Sequence, residues 1–279
     1  MSEISNEKEN LIIDLYINKG YGQDKTARKA RVSKREVKEC LKRNGYKLRN
    51  RHEAIVASNQ GRNLLNDHDY FNRENSNMAW LLGFLAADGS IEKDRNVIKL
   101  SLSSIDREIL EKIRKEISLD STVKDYVTSK GFEMSKLQWS SAQHKKDLAR
   151  YSIVPAKTFI LKPPYTLDRK YWIDYIRGYW DGDGSITIYK KNYNSLAWQI
   201  TSATKEILEF IVDFFYDEYN IPKVKVHSFE RGLNTLYILQ YSTSASKEIY
   251  NHLYTPNSLF LERKKKHFDE AIKIKEKIN

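Results

Sequence analysis

A chain of 279 residues with 40% hydrophobic and 12% aromatic side chains can bury a sizeable core, and its length suits two domains or one large domain with an appendage. The excess of 48 Lys and Arg over 37 Asp and Glu, a formal charge of +11, favours a polyanionic partner, nucleic acid before membrane. A single cysteine, Cys40, excludes a disulfide framework or a multi-cysteine zinc site. No apolar run reaches spanning length and Met1-Ser2-Glu3 is polar, so neither signal peptide nor membrane anchor is expected; the expected setting is intracellular and reducing, the cytoplasm, with the nucleoid or a phage-infected host included.

Residues 7 to 19 carry Leu11, Ile12, Leu15, Tyr16 and Ile17 at helical spacing, and Gly20-Tyr21-Gly22 breaks the pattern. Asp24 is placed to cap a short second helix through Ala30. Ser33-Lys34-Arg35-Glu36 is a capping box that starts a third helix, with Val37 and Leu41 inward and an end at Asn44-Gly45. Helix, turn, helix with Ala27, Val32 and Val37 inward resembles a DNA-binding helix-turn-helix, here a domain of residues 1–48. Arg31 stands where that motif usually has a turn glycine, which predicts a looser turn. Between positions 21 and 50 there are 11 Lys and Arg against 3 Asp and Glu. Lys34, Arg35, Lys38, Lys42 and Arg43 would cover the outer face of the third helix, where DNA would lie; a solvated basic face is the plainer alternative. Residues 49–76, polar and rich in Asn, Arg and Asp, read as a linker partly ordered by Tyr70-Phe71.

Beyond it the sequence repeats itself. Leu81-Leu82-Gly83-Phe84-Leu85-Ala86-Ala87-Asp88-Gly89 returns 95 positions later as Ile176-Arg177-Gly178-Tyr179-Trp180-Asp181-Gly182-Asp183-Gly184. Read as helices, the small pairs Gly83 and Ala87, and Gly178 and Gly182, make stripes along which two backbones can approach closely. Each aspartate then falls at a helix end, with the following glycine expected in the left-handed region. If the helices pack together, Asp88 and Asp183 meet, and two carboxylates side by side call for a cation.

After the first motif, Ser90-Ile91 and Val97–Ser104 read as strands; in the second, Ile98, Leu100 and Leu102 alternate with Lys99, Ser101 and Ser103. A helix over 106–117, strands near 123–128 and 136–141, and a helix over 145–151 complete the half. Ser103–Glu111 lines up with Thr201–Glu209 at an offset of 98, and Pro155 with Phe159 matches Pro256 with Phe260 at 101. The fold class is therefore α+β: two pseudo-symmetric αββαββα repeats, 77–166 and 167–279, forming a saddle, beside a small all-α domain.

The paired nonapeptides are similar to the motif of the LAGLIDADG homing endonucleases, in particular those with two motifs in one chain. That resemblance implies a monomer acting as a pseudo-dimer on double-stranded DNA, with Mg²⁺ or Mn²⁺ as cofactor. It makes Asp88 and Asp183 the metal-binding and catalytic aspartates. It also places a lysine near the end of each half, which Lys157 fits. At the same offset of 101 the second half has Ser258, so the support looks asymmetric and a nicking bias is expected; Arg263 and Lys264 are nearby substitutes. The polar strand faces would read DNA through Lys93, Lys99, Ser101, Ser103, Lys136 and Gln138 in the first half, and Thr187, Tyr189, Gln199, Thr201, Lys225 and His227 in the second. Asp181 has Ala86 as its counterpart and is not counted as catalytic. The six histidines show no paired ligand spacing; His144 and His252 are expected at the surface or in capping positions. The functional expectation is a site-specific double-strand DNA endonuclease cutting a long asymmetric target. A non-cleaving transcription regulator and an intron RNA maturase are the alternatives on the same scaffold.

Overall fold

The computed structural model describes residues 5–50, 53, 65–189, 195–255 and 258–276. It separates into a unit ending at Leu64 and a larger body from Leu65 onward.

In the first unit, α1 (Asn6–Ile13) runs into one wider helical turn (Asp14–Asn18), followed by α2 (Gln23–Ala30) and α3 (Lys34–Arg43). Ile12, Leu15, Tyr16, Ala27, Ala30, Val37, Cys40 and Leu41 form its core, the set that the 3.6-residue spacing selects. The Ser33 capping box forms as expected, each partner closing on the other's amide. Two local expectations fail. Asp24 lies inside the first turn of α2 rather than at its cap, which is Gly22, and its carboxylate pairs with Lys34. Arg31 does not loosen the turn: it adopts the left-handed conformation itself (φ 53°), and the Val32 amide closes on the Ala27 carbonyl at 3.0 Å.

Part of the stretch expected to be linker belongs to the body. Leu65 bridges to Leu119, and Tyr70 and Phe71 are buried in the large core. Then come α4 (Ser76–Asp88), β1 (Ser90–Ile91), β2 (Val97–Ser103), α5 (Arg107–Glu116), β3 (Lys124–Val127), β4 (Glu133–Ser140) and α6 (Ala142–Ala149). The second half repeats the order as α7 (Trp172–Asp183), β5 (Gly184–Tyr189), β6 (Ser195–Ser202), α8 (Lys205–Tyr219), β7 (His227–Arg231), β8 (Asn234–Tyr241) and α9 (Thr243–Leu253), and α10 (Glu262–Glu276) follows. Each half holds a four-stranded antiparallel sheet, in the orders β1-β2-β4-β3 and β5-β6-β8-β7. The duplicated αββαββα unit is thus observed. Pro256, the expected counterpart of Pro155, lies outside the described residues.

Register explains the two faces of each sheet. Leu100 pairs with Leu137 and Ile98 with Trp139, so these side chains share the buried face under the helices. Lys99 pairs with Gln138 and Ser101 with Lys136, which puts the polar set on the free face. In the second half Gln199 pairs with both Ser185 and Gln240 on the same free face.

Helix α4 is apolar all round, because α7 lies on one side of it and its own sheet on the other: Trp80, Leu81, Leu82, Phe84 and Leu85 are all fully buried. His144 is also fully buried, contrary to the surface role expected for it. Trp139 Nε1 donates to its Nδ1 at 3.1 Å, so the ring proton sits on Nε2 and is donated to the Asp67 carbonyl at 2.8 Å. Burial holds this histidine down at about 4, so it stays neutral. His252 stacks on Tyr219.

Candidate active site

Helices α4 and α7 touch along their small residues. A methyl placed on Gly178 would meet the Trp80 carbonyl carbon at 2.8 Å and the Phe84 amide at 2.9 Å, with the Trp80 oxygen nearer still. One placed on Gly83 would meet the Tyr179 amide at 2.7 Å and the Tyr175 carbonyl. The stripe therefore brings backbone against backbone, as the spacing implies. Gly182 faces the Ala87 methyl and the Asp88 carboxylate.

The glycines after the aspartates are not left-handed. Gly89 has φ −72° and ψ 145°, and Gly184 has φ −84° and ψ 165°. The chain passes straight from helix into strand. Glycine is required here by space rather than by φ: a side chain at Gly89 would strike the Leu85 backbone, and one at Gly184 the Trp180 ring.

This geometry sets Asp88 and Asp183 at the adjoining ends of the two helices. Both carboxylates open to solvent, yet protein surrounds most of each. That desolvation pushes Asp88 above the usual carboxylate range, and it pushes Asp183 up to about 6, with the charge of Asp88 adding to the rise. The positive charges of Lys157 and Lys264 pull both back.

The two lysines correct the expected asymmetry. Lys157, buried, donates from Nζ to the Gly89 carbonyl at 2.5 Å. Lys264 donates from Nζ to the carbonyls of Trp180, Gly182 and Gly184 at 2.9, 2.8 and 2.6 Å. Gly89 and Gly184 are equivalent in the repeat, so each half does carry a lysine on the same carbonyl. Ser258 is not the counterpart; it is half-buried and bonds the Thr255 carbonyl. Burial lowers Lys157 from the ordinary lysine range and Lys264 to about 8. Three N–H donors on three carbonyls require the ammonium form, because a neutral amine has only two. Lys264 is therefore a fixed charge, whereas Lys157 spends one N–H on the described residues and keeps two.

Neighbouring side chains shape this seam. Asp181 is buried; its Oδ2 accepts from Trp80 Nε1 at 2.8 Å and from the Leu261 amide at 2.9 Å, so it serves the packing. The basic run Arg263 to Lys266 is not one solvated face. Arg263 pairs with Asp106 and Lys265 with Asp269, while Lys266 is exposed.

Two aspartates are the carboxylates gathered here, and among the described residues no group of three His, Cys, Asp or Glu could hold a metal. Those residues therefore offer no cluster of three or more such side chains of the kind that a structural zinc site uses. The pair fits Mg²⁺ or Mn²⁺, hard cations that take one or two carboxylates and fill their shells with water and phosphate oxygens.

Of the residues expected on the free faces, Lys99, Ser101, Ser103, Lys136 and Gln138 share one face by register, and Thr187, Tyr189, Gln199, Thr201 and His227 share the other. Gln199 is tied to Tyr189, Gln240 and Thr187. Lys93 lies in the β1–β2 connection and Lys225 just before β7, so neither is a strand residue. Register adds Lys124 and Tyr126 to the first face and Gln240 and Phe229 to the second. Pairing, which the single-strand patterns at 123–128 and 136–141 do not carry, is what places Lys124 and Tyr126, while Phe229 and Gln240 lie in β7 and β8, where the sequence pattern marks no strand span. In the first unit, Lys34, Arg35, Lys38, Lys42 and Arg43 are all exposed on α3, and Lys34, Arg35 and Arg43 pair with Asp24, Glu39 and Glu9.

A LAGLIDADG-like domain family model matches residues 75–137 and 173–253, one stretch in each half and just over half of the chain. An uncharacterised protein of Methanocaldococcus jannaschii is 23% identical over 211 residues, covering 70% of this chain and 73% of its own. Among solved structures, the homing endonuclease I-WcaI bound to its DNA recognition sequence is similar at 14% identity, with a TM-score of 0.48, over 71% of this chain and 90% of that one. Full-length DUF199/WhiA from Thermatoga maritima is similar at 17% identity, with a TM-score of 0.45, over 74% of this chain and 64% of that one. No described helix is long and apolar enough to cross a membrane. With a small-residue helix pair, duplicated sheets and paired aspartates matched in both halves, the chain belongs to the LAGLIDADG-like domain family.

Proposed function

We propose that the protein is a site-specific endonuclease of the homing type that hydrolyses both strands of double-stranded DNA, acting as a monomer with two pseudo-symmetric halves. The observation that carries this is the repetition of the whole site: two aspartates at the helix seam, each with a lysine on the carbonyl of the next glycine. A binding-only scaffold has no need for a duplicated acid and ammonium pair.

Asp88 and Asp183 would hold Mg²⁺ or Mn²⁺, which supplies positive charge against the scissile phosphate and acidifies water. The chain's own groups do the rest. Lys264 keeps an ammonium fixed beside the acids and offsets the charge that grows on phosphate oxygens. Lys157 Nζ has two N–H groups with which to orient a water or a phosphate oxygen. The free sheet faces support a target read in the major groove, through Lys99, Lys136, Gln138 and Gln199 among others, and unequal halves imply an asymmetric target. The basic face of α3, with Lys38 and Lys42, supports added affinity from the first unit.

The test uses purified protein, Mg²⁺ and duplex DNA that flanks its own gene with the insertion removed. Cleavage is expected for the natural chain, and binding without cleavage for Asp88→Asn combined with Asp183→Asn. Equal, metal-independent binding with no strand break in either would sink the nuclease reading in favour of a regulator.

A further inference from the structure

Lys264 enters the site on the first turn of α10, and that turn is fixed by carboxylates from both halves. Asp181, buried in α7, accepts the Leu261 amide at 2.9 Å. Asp106, in the short turn between β2 and α5 and only 8% exposed, accepts Arg263 through Nε at 3.0 Å and Nη2 at 2.9 Å. This is a bidentate, charge-assisted pair, the arrangement that best fixes direction as well as distance. Lys112 to Glu262 at 3.3 Å adds a second bridge between the first half and α10.

The first half has none of this. By the repeat offsets, Ala86 stands for Asp181, Thr204 for Asp106 and Ala156 for Arg263. Lys157 arrives on a single short turn, Lys157–Phe159, and holds one carbonyl. Both lysines reach equivalent carbonyls, but among the described residues only one is braced across the seam.

We propose that Asp106, acting through Arg263, is a positioning residue for Lys264, so that the second half's site depends on the first half in a way that is not returned. Without the pair the first turn of α10 loses its bidentate tie to the first half and keeps there the Lys112 bridge to Glu262, and the Lys264 ammonium loses its alignment with the three carbonyls. Lys157 keeps its place. The consequence for cutting rests on the nuclease reading: the strand served by the second half slows while the other does not. The positioning itself does not depend on that reading.

The test is therefore in two parts, both on the full chain. Competitive acetylation with acetic anhydride, read residue by residue by mass spectrometry, compares the natural chain with Asp106→Asn, Arg263→Ala and the conservative Asp106→Glu. Labelling at Lys264 should rise about five-fold or more in the first two, stay unchanged at Lys157, and return most of the way in the third. Unchanged labelling at Lys264, or an equal rise at both lysines from general loosening, would overturn the proposal. The second part follows supercoiled plasmid carrying the flanking target, with each strand end-labelled. Asp106→Asn should accumulate nicked circles with the same strand left intact, at undiminished DNA retention; equal slowing of both strands would also overturn it. If the natural chain leaves the plasmid uncut, the nuclease reading falls, and the labelling ratio still decides the clamp.

Discussion

Gly178→Ala tests the close approach of α4 and α7 most directly, because the two relevant effects have opposite signs. In a helix whose flank is open, alanine for glycine stabilises by about 1 kcal/mol. Here the new methyl would sit 2.8 Å from the Trp80 carbonyl carbon and 2.9 Å from the Phe84 amide, with the oxygen closer, where ordinary contact begins near 3.4 Å. Backbone on a buried helix cannot swing aside as a flexible side chain can. The helices must part by roughly half an ångström to more than one, which loosens the buried ring of Trp80, stacked on Phe84, and the packing around it. Overpacking of this kind costs about 1–3 kcal/mol even with relaxation, and the helix pair leaves little room to relax. Set against the gain of about 1 kcal/mol from helix propensity, the net loss is about 1–2 kcal/mol, and at about 2–4 °C per kcal/mol for a body of this size the melting temperature should fall by roughly 2–8 °C. All five tryptophans lie in the body, so intrinsic fluorescence reports its unfolding without the first unit. The same parting separates Asp88 from Asp183, so Mg²⁺ should stabilise the variant less than the natural chain. A melting temperature equal to or above that of the natural chain would refute the packing argument, because propensity alone would then be deciding the outcome.

Two pH dependences follow from the buried groups. His144 is held down at about 4 against an ordinary value near 6.5, so the unfolded chain binds the extra proton first. Its contribution, about 3 kcal/mol, is fully present above pH 6.5 and is lost as pH falls toward 4. The stability gap between the natural chain and His144→Gln in urea titrations should narrow over that window; a gap constant from pH 7 to 4.5 would contradict the assignment. Asp88 and Asp183 run the other way: raised carboxyls favour the folded metal-free chain while protonated, and that advantage fades as pH climbs through their raised range, about 6 for Asp183. Mg²⁺ needs both ionised, so its thermal shift should be small at pH 5 and several degrees at pH 7.5. No shift is expected at either pH for Asp88→Asn combined with Asp183→Asn.

Much of the architecture was legible because it was written twice. A nonapeptide with two small residues four apart admits many contexts; its return 95 positions on, followed by the same strand and helix order, leaves few. Ile98, Leu100 and Leu102 announced a half-buried strand through period two, and all three are buried in β2, with Val97 at its start buried as well. Local chemistry was less legible where tertiary packing overrode it. The Asp-Gly ends looked like left-handed caps, but a strand starts at once, and what selects glycine there is the Leu85 backbone and the Trp180 ring. His144 carries no sequence mark of burial; Trp139 and the Asp67 carbonyl, 77 residues away, make it a core group.

The lysine shows the limit of reading a repeat by offset. Offsets of 95, 98 and 101 drift slowly enough to extrapolate, and extrapolation put Ser258 opposite Lys157. The true partner is Lys264, at an offset of 107. The six extra residues are used: in the first half the lysine rides a short turn after an alanine, while in the second the chain carries on to Leu261, binds Asp181 through its amide and opens α10. A lysine delivered on the first turn of a long helix can be braced by its neighbours, and Arg263 on Asp106 is that brace. Equivalence between two repeated halves is fixed by which carbonyl a side chain reaches, and the chain can arrive there by unequal routes. The two halves are thus matched at Gly89 and Gly184 while their supports differ, and on the proposed function that is where a difference between the two strands would arise.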